Sequence, residues 1–77
     1  MAVTVKFFAN LRESVGISST TVEYVPDMKI ADVWKAATKN KARPLGMLTS
    51  VNMEYAKDDV VIRDNDEVAF FPMVSGG

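Results

Sequence analysis

One stretch of helical periodicity lies between two stretches of strand periodicity, and 77 residues leave room for little else. The apolar residues Ile30, Val33, Trp34 and Ala37 recur at i, i+3, i+4 and i+7, the stripe of an amphipathic helix running to about Asn40. Such a stripe has to be covered by a sheet. Ahead of it, Val3, Val5 and Phe7 alternate with Thr4, Lys6 and Phe8, so a first strand presents three apolar side chains to one face. Near the end, Val68 and Phe70 alternate with Ala69 and Phe71 in a last strand, Glu67 to Phe71.

The intervening segments fill in the order. In "NLRESVG", Leu11 and Val15 stand four apart and Gly16 can take the left-handed conformation that ends a helix, so a short helix or turn follows the first strand. "STTVEYV" is rich in β-branched residues and places Val22 and Tyr24 on one face of a second strand. "KNKARP" ends the main helix before Pro44. "LTSVNMEYA" reads as a single middle strand, "KDD" as a turn, "VVI" as a brief extended piece, and "RDNDE" as a second turn whose Asn65 tolerates positive φ. Strand, strand, helix, strand, strand is an α+β order. It packs one helix across one face of a mixed sheet with the first and last strands side by side in the centre, a β-grasp plan forming one domain over residues 1–77.

Composition removes most catalytic chemistries. With no Cys and no His, the chain has no thiolate nucleophile, no imidazole base and none of the usual zinc ligand sets, so no bound metal is expected. Nine basic against ten acidic residues argue against nucleic acid as a partner. The basic group from Lys35 to Arg43 reads as a solvated surface. No apolar run approaches the roughly 20 residues of a membrane-spanning helix, and no signal peptide is visible, which points to a cytoplasmic protein without a membrane partner.

The last strand is apolar on both faces. A sheet covered by one helix should show water a polar outer face, so Phe71, with Phe8 on the neighbouring strand, is expected to form an uncovered apolar patch. Met73 and Val74 extend it past Pro72, which is expected to peel the chain off the sheet into a flexible tail from about residue 72. The tail reads "SGG". Chance gives two final glycines in only about 0.5% of chains. Backbone without Cβ atoms threads a narrow channel and delivers a bare carboxylate, here that of Gly77, to another protein's active site. A carboxylate is a poor electrophile, so it must first be activated, as an acyl-adenylate for example. An interaction domain ending in glycines by accident is the bland alternative.

"FFANLRESVG", "VNMEYA" and "DNDEVAFFPMVSGG" together resemble, in order and over nearly the whole chain, the MoaD family of small, sulfur-carrying molybdopterin synthase subunits. Asn65 stands where the family commonly has Gly, and Met73 where it has a second Pro. The resemblance implies a ubiquitin-like β-grasp fold. It implies that an E1-like, MoeB-like adenylyltransferase uses ATP to activate Gly77, that a sulfur donor makes the thiocarboxylate, and that no cofactor is bound by this chain itself. It further implies docking on the large synthase subunit, in a heterotetramer of two small and two large subunits, and sulfur transfer to a cyclic pyranopterin precursor. By position in the motif Gly76 and Gly77 are the functional residues, with Phe8, Phe71, Pro72, Met73, Val74 and Ser75 as partner-binding candidates. Two other readings stay open: a sister carrier for thiamine or tRNA thiolation, and a modifier conjugated to lysines through Gly77.

Overall fold

The computed structural model describes residues 1–42 and 46–72. Strand β1 (Ala2–Phe7) leads into helix α1 (Asn10–Val15), strand β2 (Ser19–Glu23), helix α2 (Ile30–Thr38), strands β3 (Met47–Val51) and β4 (Glu54–Tyr55), and strand β5 (Glu67–Pro72). The five strands form one mixed sheet in the order β2-β1-β5-β3-β4. As expected, the first and last strands lie side by side and parallel, Val5 beside Val68 and Phe7 beside Phe70. Antiparallel β2 and β3 flank this central pair.

Alternation and stripe meet in the core. Val3, Val5 and Phe7 of β1, Val22 of β2, and Val68 and Phe70 of β5 are buried against Ile30, Val33 and Trp34 of α2. Three rings lie at its centre: Phe7 stacks near Phe70 at 5.8 Å, and Trp34 meets both edge-on, at 5.9 Å and 5.0 Å. Edge-to-face and offset contacts of this kind suit the quadrupoles of the rings. The Trp34 Nε1–H donates to the Lys41 carbonyl at 2.7 Å, so the indole is buried without an orphaned donor. Tyr24 packs at the margin on the same face as Val22.

Local chemistry sets the ends of the elements. Gly16 takes φ 94° and its N–H donates to the Arg12 carbonyl at 2.9 Å, closing α1 as expected. The Asp32 carboxylate accepts from the Lys29 N–H at 2.9 Å at the start of α2. The helix stops at Thr38, short of Asn40, because Lys39 already adopts φ 57°. Asn65 has φ 69°, as its place in the turn requires.

Three features differ from the expectations. "LTSVNMEYA" is not one strand but a hairpin, reversed at Asn52 and Met53, both at positive φ. Pro72 does not leave the sheet but faces Met47 in its last rung. The Phe8 N–H donates to the Phe70 carbonyl, so Pro72, two residues further, turns its nitrogen to the same side, beyond the end of β1 at Phe7 where a ladder donor has no strand partner. Met28 and Ile62 are core residues, tied by the Ile62 N–H donating to the Met28 carbonyl at 2.8 Å and by a bridge between Lys29 and Val61.

Candidate functional site: the uncovered sheet face

The register defines the face turned away from α2. Phe71 of β5 is opposite Leu48 of β3, and one rung back Ala69 lies between Lys6 and Ser50, with Tyr55 of β4 beyond Ser50. Phe8 follows β1 and is 47% exposed, while Phe71 is half-buried. The Tyr55 and Phe71 rings stand 5.9 Å apart at 51°. Phe8, Ser50, Met53, Tyr55, Glu67, Ala69 and Phe71 line a shallow hollow of about 270 Å³.

Ala69 forms part of the hollow's floor and is only 8% exposed although it points away from the core. At the rim Lys6 Nζ lies 3.6 Å from Glu67 Oε1. Both side chains remain well over a third exposed, so water weakens the pair and it adds little to the stability of the fold. Such a face has little use in water and much use against another protein, since aromatic and methionine side chains are enriched at protein interfaces.

Of the partner-binding candidates, the structure brings Phe8 and Phe71 to one face, while Pro72, next in β5, pairs with Met47 and by alternation turns to the opposite face. Met73, Val74, Ser75, Gly76 and Gly77 lie outside the described residues, as do Arg43 and Pro44. Tyr55 and Met53 join the patch without having been expected there. Reading a reversal at Asn52 would have found Tyr55, since folding the chain back puts it opposite Ser50. Among the described residues no group of three or more acidic side chains is arranged to hold a metal ion, and no helix is long and apolar enough to cross a membrane.

A mixed five-stranded sheet with parallel central strands, one main helix on one face and a bare apolar patch on the other defines a ubiquitin-like β-grasp protein. The chain belongs to the ThiS family, whose model matches residues 5–77. It is 37% identical to the molybdopterin synthase sulfur carrier subunit of Escherichia coli (strain K12), over 97% of this chain and 99% of that one. The resemblance carried by the two aromatic-rich segments and the middle hairpin is thereby borne out. SAMP1 of Haloferax volcanii superposes with a TM-score of 0.81 at 26% identity over the whole of both chains. A protein–protein complex of subunits 1 and 2 of the Helicobacter pylori 26695 molybdopterin-converting factor contains a chain that superposes with a TM-score of 0.67 at 17% identity, again over the whole of both chains, a likeness of fold.

Proposed function

We infer that this chain is the sulfur-carrying small subunit of a molybdopterin synthase, working through the carboxyl group of Gly77. The observation that carries the reading is the near end-to-end match, at 37% identity, to the Escherichia coli sulfur carrier subunit. The apolar hollow beside Phe71 supports it, because a carrier that hands over its own tail needs a surface to hold the recipient enzyme.

The division of labour follows from the residues. Without Cys or His, this chain supplies the reacting group and its partners supply the catalysis. The Gly77 carboxylate attacks the α-phosphate of ATP on an E1-like adenylyltransferase, releasing pyrophosphate and forming the acyl-adenylate. Hydrosulfide-level sulfur (HS⁻) then attacks the acyl carbon and AMP leaves, giving the thiocarboxylate with no change of oxidation state. Docked through Phe8 and Phe71 on the large subunit, the tail places the thiocarboxylate sulfur on a pyranopterin carbon, forming the C–S bond as that carbon's oxygen substituent leaves with a proton. Water cleaves the acyl–sulfur bond, the sulfur stays on the precursor, and the carboxylate is restored. Pro72, Met73, Val74 and Ser75 guide the tail, and Gly76 keeps it slim enough to enter.

The test separates affinity from chemistry. Deleting Gly77 draws the carboxyl back by one residue, about 3.3–3.6 Å, far more than a near-attack geometry tolerates. In a synthase reconstituted from the purified large subunit, activated carrier and precursor, the deletion should keep most of the binding and lose dithiolene formation. Sulfur transfer by the shortened chain would overturn the reading. A second reading, attachment of Gly77 to lysines of target proteins, is favoured by the likeness to SAMP1, a small archaeal modifier protein.

A further inference from the structure

Met53 is an unfavourable residue for its position. It is the second residue of the two-residue turn between β3 and β4 and has φ 71°, after Asn52 at φ 50°. Both central positions of such a turn lie in the left-handed region, where Asn is tolerated first and Gly is preferred second. Methionine gains no local hydrogen bond there and crowds its own backbone. Its side chain is also 91% exposed, so the fold buries almost none of it.

The turn is held by its other residue. Asn52 Nδ2 donates to Asp66 Oδ1 at 2.9 Å, Asn52 Oδ1 accepts from the Glu67 N–H at 2.9 Å, and the Asn52 N–H donates to the Glu67 carbonyl at 2.8 Å. These bonds fix the backbone and carry Met53 into its strained conformation, which persists only because the surrounding structure holds it. What the Met53 side chain does reach is the hollow it lines with Phe8, Tyr55 and Phe71.

Chain length limits how far from that hollow a partner holding the tail can lie. Gly77 is six residue steps beyond Phe71, and a fully extended chain of that length spans about 20 Å. An enzyme that takes the Gly77 carboxyl into its active site therefore has its surface within that distance of Phe71, close enough to cover the patch. We propose that Met53 is a partner-selecting anchor, its unbranched thioether chain entering an apolar pocket on the large synthase subunit that docks over Phe71 and Tyr55. The proposal rests on the large subunit being the partner of this face. A flexible, polarisable side chain at the tip of a rigid turn suits that role, since it adapts to the pocket while the turn fixes its position.

The experiment compares the affinities of four full-length variants for the purified large subunit of the same organism's molybdopterin synthase. Met53→Gly and Met53→Asn both fit positive φ, so they remove the side chain without adding strain, and thermal unfolding should show an intact fold. Each should bind at least about tenfold more weakly than the parent, as the loss of one buried Met side chain implies. Met53→Leu, which keeps the apolar volume, should stay within about threefold. Parent-like affinity of the Gly and Asn variants, or a Leu variant as weak as the Gly one, overturns the anchor. Phe71→Ala separates the two layers of the argument: if it weakens binding while Met53→Gly does not, only Met53 is misassigned. If neither weakens it, the docking face itself is wrong.

Discussion

Phe70 and Phe71 are adjacent in sequence and identical in chemistry, yet truncating them should give different kinds of defect. Phe70 is fully buried, stacked on Phe7 at 5.8 Å and met edge-on by Trp34 at 5.0 Å. Phe70→Ala opens a cavity under α2 and removes both ring contacts, a loss of roughly 3–5 kcal/mol. A domain of this size holds only about 4–12 kcal/mol in all, so the variant should sit near the edge of unfolding, its Tm lower by at least about 12 °C. Phe71 is half-buried on the opposite face, and its described ring contact is with the exposed Tyr55 at 5.9 Å. Phe71→Ala should cost about 1 kcal/mol of stability or less while weakening the large-subunit complex. Urea and thermal unfolding of both variants, beside a binding titration of the Phe71 variant, make the comparison. Equal loss of stability in the two would refute the assignment of Phe71 to a docking face.

Trp34 is 2% exposed, so its fluorescence in the native protein should resist acrylamide quenching and become accessible only on denaturation; strong native quenching would contradict the packing of α2. Asn52→Ala removes two side-chain hydrogen bonds and places a β-carbon residue without amide compensation at φ 50°, and should lower stability by about 1–2 kcal/mol in urea titrations. A neutral result there would mean that the turn is held by other groups.

What could be read in advance followed from periodicity. The alternation of Val3, Val5 and Phe7 and the stripe of Ile30, Val33 and Trp34 each commit a face to the core, and a slip in either would expose three large side chains. The β3–β4 hairpin was hidden because its turn lacks the expected glycine: with Met53 at the second position, an apolar residue looks like more strand. Ile62 and Met28 are not marked in the sequence as core, because irregular segments carry no period to indicate an inward side chain. Pro72 stays in the sheet because of which side its nitrogen faces, a matter of register that composition does not encode. The patch was half legible. Phe8 and Phe71 follow from alternation, whereas Tyr55 and Met53 needed the chain reversal at Asn52.

The central claim, that Gly77 carries sulfur, is tested most directly by the intact mass of the protein isolated from its own cells under conditions that preserve thiocarboxylates. A fraction of the chains should show one oxygen replaced by one sulfur, with fragmentation placing the change on Gly77, and the fraction should vanish in cells lacking the activating adenylyltransferase. Chains that never carry the sulfur, or that are recovered only as Gly77 joined through an amide bond to lysines of other proteins, would contradict the carrier reading and leave the modifier in its place.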